Sequence, residues 1–386
     1  MGFESFSRNF IKLGPFESFR RYITLRICYL AGGRNVHTQK WVKYFADKSY
    51  DVHLATFDEP GPIKGVKIRK LRYFSKVAYP FRILTVRKAV KEINADILHA
   101  HYVSHYGVYG ALTGFKPFVV TAWGSDIFID PKKSMTKKYF VKYALKKADL
   151  ITTDSVSSMK TIVDFGVDEE KVKLIVHGVD LGVFHPIENN EEFKKELCIG
   201  QNCQVVISTR NLKPVYDVGT LIKAIPYVID ECPNTFFLIV GDGTLRRQLE
   251  ELVYRLGVAE NVRFVGSVSN KEMPKFLGVS DIYVSASLSD TRSISLLEAM
   301  ACGLPVVVTD LEGNKECVKE GVNGFLFSKG DFKALGEKII YLLRDEDTRR
   351  RFGVISRRYV EREGNYEKEM RKMEKLYKEL VEAYRI

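Results

Sequence analysis

The sequence predicts an α/β protein of two domains, each a doubly wound parallel sheet with its ligands at the carboxyl ends of the strands. Three observations predict this. Short apolar, β-branched runs alternate with helix-period stretches along most of the chain. The alternation comes as two series, residues 25–176 and 205–327, that repeat an architecture without repeating a sequence. At 386 residues the chain is also longer than one ordinary core organises.

The first series places strands at 25–31, 52–56, 66–71, 97–100, 118–122, 150–153 and 172–176, with helical stretches at 38–48, 82–93 and 131–148 among them. Gly32-Gly33 ends the first strand, a pair that permits close backbone approach to an anion, although its spacing is not the full dinucleotide fingerprint. Two later strands end in polar clusters. These are His99-Ala100-His101, whose histidines read as strand-end hydrogen-bonding groups, and Trp123-Gly124-Ser125-Asp126. The pattern breaks at 180–188, which sets the domains at 1–184, with 1–24 as an N-terminal extension, and 185–362. The second series places strands at 205–209, 236–240, 262–265, 282–285, 306–309 and 324–327, and helices run from 331 to the end.

Residues 285–310, SASLSDTRSISLLEAMACGLPVVVTD, read as loop, helix and buried strand, because Gly303 and Pro305 stop an apolar helix pattern before a β-branched run. Ser293 and Ser295 are candidate caps, and the unpaired N–H groups at this helix start would face the loop as an anion site. Asp290 in the loop and Glu298 in the helix bracket that site. Each acid alone reads as an ordinary turn aspartate or solvated helix glutamate. Together, with the anion site between them, they point to a ligand carrying both hydroxyls and phosphate.

Lys+Arg 60 against Asp+Glu 48 gives a formal charge of +12, which favours phosphates, acidic lipid or nucleic acid without choosing among them. No RRM-like aromatic motif, zinc finger or helix-turn-helix pattern supports nucleic acid. No apolar run approaches the roughly 20 residues that cross a bilayer. The cysteines at 28, 198, 203, 232, 302 and 317 form no CxxC or Cys/His cluster, which argues for a reducing cytoplasm and against a structural metal. The lysine-rich stretch 131–148 reads either as a helix lying on anionic lipid or as a solvated helix. Residues 3–22, rich in Phe, Arg and Lys, read either as an interfacial segment or as an extension packed on the body. The expected location is cytoplasmic, with peripheral contact to the inner face of the membrane left open.

The segment from Asp290 through LLEAMACGLPVVVTD, the Gly241-Asp242-Gly243 turn, HGVDLGVFHP at 177–186 and TAWGSDIF at 121–128 together resemble the retaining glycosyltransferases of family four. That family has the GT-B fold, two Rossmann-like domains facing each other across a cleft. The resemblance runs from about residue 25 to the C-terminus. It implies transfer of a sugar from a nucleotide-diphosphate sugar to a glycan, lipid or small-molecule acceptor, with retention of configuration and no metal or other cofactor. It also implies that the last helix, 363–386, returns to the first domain. By position, Glu298 would hold the ribose hydroxyls, and Asp290, where the family has a glutamate, would contact the donor sugar. The diphosphate would meet Arg210 and the N–H groups near Ser293 and Ile294. Gly241, Gly243 and the turn from Gly266 to Val268 would surround the base, and Gly33 would close over the phosphates. Arg210, Asp290 and Glu298 are thereby candidate catalytic residues, with His101, Trp123, Ser125 and Asp126 on the acceptor side.

Three departures from the family pattern carry their own expectations. Thr291-Arg292 replaces the usual glycine after the first acid, so the loop should be stiffer and more cationic. A lysine expected at position 215 is Val, and Lys213 or Arg292 is expected to supply the missing charge on the diphosphate. Trp123 stands where many relatives carry His, which points to stacking on a sugar ring. The same-fold alternatives are a nucleotide-sugar epimerase, a phosphorylase and a non-catalytic nucleotide-sugar-binding protein.

Overall fold

A computed structural model describes residues 24–72, 79–187 and 191–385, so the aromatic and basic stretch 3–22 lies outside the described residues. Seven strands form the first sheet: β1 (Arg26–Leu30), β2 (Asp51–Thr56), β3 (Val66–Lys70), β4 (Ile97–His101), β5 (Phe118–Thr121), β6 (Leu150–Thr153) and β7 (Val172–Leu174). They are parallel, in the order β3-β2-β1-β4-β5-β6-β7. Six form the second: β8 (Gln204–Ser208), β9 (Thr235–Val240), β10 (Val262–Gly266), β11 (Ile282–Ser285), β12 (Val306–Thr309) and β13 (Gly324–Phe327), in the order β10-β9-β8-β11-β12-β13.

Central strands such as β4, β5, β6 and β12 are buried at every residue. That is why β5 and β12 read as near-continuous apolar runs rather than alternating ones: helices cover both faces of a parallel sheet. The strand order reverses between β1 and β4 and again between β8 and β11, and such reversals open crevices at the strands' carboxyl ends. The sequence pattern missed the helical stretch at 103–113 and the helix Val156–Asp164. The first begins as a π-turn with His, Tyr and Gly, whose period departs from 3.6.

The chain crosses between the halves at two points that pair with each other. Val179 N–H donates to Gly364 O at 2.7 Å, and Tyr366 N–H returns to Val179 O at 3.1 Å. Helix Tyr366–Arg385 then lies on the first sheet and buries Met370, Met373 and Tyr377 with Tyr29, Trp41 and Phe45. The Tyr377 hydroxyl meets Tyr29 Oη at 3.1 Å and also His99 Nδ1, so the last helix is locked by polar bonds inside an apolar interface.

Candidate active site

A cavity of about 400 Å³ opens between the two halves. Its second-half wall is built at the reversal between β8 and β11. Thr209 and Arg210 leave the end of β8, and the loop 286–293 leaves the end of β11 and enters helix Ile294–Ala301. Arg210, Asp290, Arg292, Ser293, Ile294, Ser295 and Glu298 all line it, so the structure brings Arg210 and the loop-and-helix residues expected on the donor side together on one wall.

Arg210 is the hub. It is 8% exposed, donates to Asp290 Oδ2 at 2.6 Å and Ser295 Oγ at 2.7 Å, and also reaches Ser293 Oγ. Its guanidinium stacks 4.2 Å from the centre of the Tyr216 ring. Burial opposes its charge, but Asp290 more than restores it, and the guanidinium is held above its ordinary range. Asp290 is itself raised by burial, with Arg210 pulling it back.

Ser293 is the N-cap of helix Ile294–Ala301, yet it makes no side-chain cap bond, contrary to the capping expectation. Its hydroxyl is spent on Arg210 instead. The first amides of the helix therefore have no intrahelical acceptor and no cap from Ser293, and they sit beside a fixed cation. Glu298 lies one turn further on, 7% exposed. Burial pushes its carboxyl up to about 7, with Lys40 of the facing half and then Arg210 opposing that rise.

Arg292 lines the cavity, but its guanidinium is paired with Glu316 at 2.9 Å. Glu316 also accepts the N–H groups of Val156 and Ser157, each at 3.1 Å. One carboxylate thus joins the donor loop to the N-terminus of helix Val156–Asp164 in the other half. Lys213 is exposed and does not line the cavity.

Several expected positions fall elsewhere. Gly33 is buried, and its N–H donates to Thr56 Oγ1 at 3.1 Å rather than facing the cavity. Gly241 and Gly243 serve close packing: a Cβ on Gly241 would fall 2.6 Å from Arg210 O, and one on Gly243 would run into Leu212 O. Gly266 O accepts the Gly241 N–H at 2.8 Å, and Val268 is half-buried against the core, so this corner supports the Arg210 segment and does not line the cavity.

On the acceptor side, Asp126 is fully buried and accepts N–H bonds from Val103 at 2.6 Å and Trp123 at 3.0 Å, so it fixes the loop instead of meeting solvent. Burial pushes it up to about 6. His101 is 1% exposed and packs edge-on against Trp41, which withdraws it from the cavity wall. Ser125 is exposed and pairs with the Tyr102 hydroxyl at 3.0 Å. Trp123 does line the cavity.

Sequence reasoning missed His37, Asp154 and His177, which line the same cavity after β1, β6 and β7. Their signal was positional: Asp154 and His177 lie in loops past a strand's carboxyl end, and His37 lies in the first turn of helix Val36–Asp47 after β1, on the side where a parallel sheet presents its ligand-binding groups.

Residues 26–155 match the family described as Glycosyl transferase 4-like, and residues 189–359 match Glycosyl transferases group 1. N-acetyl-alpha-D-glucosaminyl L-malate synthase of Bacillus anthracis is 26% identical over 375 residues, covering 92% of this chain and 96% of the relative. An Escherichia coli protein named UDP-Gal:alpha-D-GlcNAc-diphosphoundecaprenol alpha-1,3-galactosyltransferase is 26% identical over 82% of this chain and 86% of its own. Among solved structures, Anabaena HepE in complex with UDP superposes with a TM-score of 0.80 at 20% identity, covering 92% of this chain and 100% of that one. The chain belongs to the group 1 glycosyltransferases and has their GT-B fold, two Rossmann-like domains with a cleft between them.

Proposed function

We propose that this glycosyltransferase is a retaining hexosyltransferase that works without a bound metal, taking its sugar from a nucleotide-diphosphate donor. One observation carries the reading: Arg210, fixed by Asp290, Ser293 and Ser295, stands at the uncapped start of helix Ile294–Ala301 with Glu298 one turn on. A fixed cation and aligned amides suit the negative charge that grows on a departing diphosphate. A buried carboxylate suits a ribose diol, which supplies two hydroxyl donors. Asp290 contacts the donor sugar from the loop. Arg292 adds a second cation to the phosphates, and Lys213 does not.

In the reaction, the bond from the anomeric carbon to the diphosphate oxygen breaks and its electron pair leaves with the diphosphate. The acceptor hydroxyl attacks from the same face, forms the new bond to that carbon, and passes its proton to the leaving phosphate oxygen. The oxocarbenium character of the sugar is balanced by the departing anion.

The complex of HepE with UDP makes UDP the first nucleotide to try. The test is proton NMR of product formed from UDP-α-hexoses in the presence of EDTA. An α-linked product supports the reading, whereas a β-linked product, or activity only after a divalent metal is restored, overturns it.

Peripheral contact with the inner membrane face goes with this reading. Helix Met135–Lys147 buries Val141, Ala144 and Leu145 and exposes Met135 at 79% and Tyr139 at 64% among its lysines. Apolar side chains set among cations suit an anionic lipid surface. The acceptor named for the E. coli relative carries a diphosphoundecaprenol, and a lipid-linked acceptor would be met there. No helix among the described residues is long and apolar enough to cross a membrane. Vesicles rich in acidic lipid should pellet the chain, and substitution of Lys132, Lys133, Lys137 and Lys138 by Gln should abolish it. Pelleting indifferent to lipid charge contradicts the idea.

A further inference from the structure

The half-buried Tyr216 ring lines the cavity and lies face-on to the Arg210 guanidinium, whose central carbon stands 4.2 Å from the ring centre. The edge and the face of a guanidinium need different restraints. Asp290, Ser293 and Ser295 all accept from the terminal nitrogens of Arg210, and N–H bonds of this kind run in the guanidinium plane. They set where those nitrogens stand. Tilting of the plane is resisted by what packs on its face, and an aromatic ring does this with added electrostatic attraction.

The tilt matters because one donor is left over. Arg210 is 8% exposed, and its Nε is buried with no partner in the protein. A buried N–H without an acceptor is costly, and the cost is recovered when a ligand supplies one. The Nε–H bond lies in the same plane, so the Tyr216 ring sets the direction in which it is offered.

The ring is in turn tied to the donor loop. Tyr216 ends a tight turn, Pro214–Tyr216, in which the proline ring fixes φ at the start and the Tyr216 N–H donates to Lys213 O at 3.0 Å. Asp217 then takes φ +42°, a left-handed conformation that few non-glycine residues adopt, and leads into helix Val218–Glu231. Val215 O accepts the Leu288 N–H at 2.8 Å. The turn is thereby bonded to the loop 286–293, so the ring and the Asp290 carboxylate hold Arg210 from one connected unit.

We propose that Tyr216 is a positioning residue for the transfer: its ring face fixes the tilt of Arg210, so that the guanidinium meets the growing negative charge of the diphosphate without reorienting. The inference rests on the transferase reading and deepens it by giving this side chain a part in it. Val215 brings no charge to the turn, so more of the stabilisation depends on how Arg210 is aimed. Binding of a nucleotide before reaction depends on that aim less, because the open amides of helix Ile294–Ala301 and Arg292 also serve the phosphates.

The test is a double-mutant cycle on the full chain. With enzyme in excess, release of UDP is timed from UDP-α-glucose, UDP-α-galactose and UDP-α-N-acetylglucosamine with water as the acceptor, and UDP affinity is measured separately by calorimetry. Tyr216→Leu should slow cleavage about ten- to thirtyfold, the effect of losing a desolvated cation–π contact, and change UDP affinity less than about threefold. Tyr216→Phe keeps the ring face and should restore the rate to within about threefold of the wild type. In an Arg210→Lys background, Tyr216→Leu should slow cleavage less than about threefold, because the plane it acts on is gone. An unfolding midpoint near that of the wild type shows that Tyr216→Leu keeps the fold. NMR of the chain with isotope-labelled arginine reads the geometry without turnover, and decides alone where UDP binds but water does not cleave the donor. One Nε–H signal, lost in Arg210→Lys, should be shifted upfield by the ring in the wild type and Tyr216→Phe, and should return downfield in Tyr216→Leu. Equal losses of rate and UDP affinity, a Tyr216→Phe as slow as Tyr216→Leu, additive losses in the cycle, or no ring-shifted Arg210 signal overturns the assignment. If the wild type neither binds UDP nor cleaves any of these donors, the transferase reading falls and takes the proposal with it; if the wild type acts and Tyr216→Leu matches it, the positioning role alone is wrong.

Discussion

Arg210 holds Asp290 at 2.6 Å with one terminal nitrogen, while its other terminal nitrogen holds Ser295 at 2.7 Å and reaches Ser293. The guanidinium therefore cannot swing, and it presents its charge to the cavity without reorganising when a diphosphate departs.

Arg210→Lys keeps a positive charge but cannot bridge three partners from one planar group. Turnover should fall about 10²–10³-fold, the usual effect of losing one preorganised stabiliser of developing charge. Single-turnover kinetics separates this from binding: nucleotide affinity should fall much less than the rate of the chemical step. Equal losses in both would mean that Arg210 only binds.

Glu298→Gln should trade function for stability. Burial raises this carboxyl from the ordinary 4.5 to about 7, so the folded chain binds its proton more tightly than the unfolded chain across that window. Stability is accordingly lost as pH rises from about 4.5 to 7, and glutamine removes the loss. The variant should gain on the order of 2 kcal/mol relative to wild type at pH 8 and little at pH 4. Urea unfolding at the two pH values checks this. The same gain at both would show that Glu298 ionises as freely as in water.

Arg292 and Lys213 make unequal candidates for the charge that Val215 does not supply. Arg292 lines the cavity and Lys213 does not. Arg292→Ala should weaken UDP binding about tenfold, in the range of one charge-assisted contact, and Lys213→Ala should leave it unchanged. Because Arg292 pairs with Glu316, Glu316→Gln serves as the control for loss of that pair alone. Calorimetry on the three variants decides, and a loss confined to Lys213→Ala would reverse the assignment.

Gly178→Ala should destabilise the junction between the halves. Gly178 has φ +61°, and a Cβ there would lie 2.7 Å from the backbone of Tyr366, where the two crossing segments pair. Strain of this kind costs about 1–3 kcal/mol, read as a lower urea midpoint. An unchanged midpoint would mean that the crossing relaxes freely.

The sheets were legible because parallel strands buried on both faces leave unbroken β-branched runs, such as residues 306–309, that no other element explains. Helix Val156–Asp164 was not, since its serines and short length give a weak period. On the donor side, Asp290 and Glu298 were legible because one loop and helix carry both. Asp154 and His177 were not, because nothing local marks a residue whose partners lie more than a hundred positions away: Thr291 reaches Asp154 across 137 residues. Two acceptor-side positions implied by the resemblance have a setting that position alone does not give. Asp126 and His101 sit at strand ends like their neighbours, yet backbone donors claim the first and aromatic packing covers the second.

The central claim is that Glu298 and Arg210 together make the nucleotide site. Calorimetric titration of UDP, GDP, ADP and dTDP into the wild-type chain and into Glu298→Ala, with EDTA present, tests it most directly. One of these nucleotides should bind the wild type, with affinity at least about tenfold weaker in the variant, as expected when a buried hydrogen-bonding carboxylate is removed. Equal affinity in both, or no binding to the wild type by any of the four, would contradict the account.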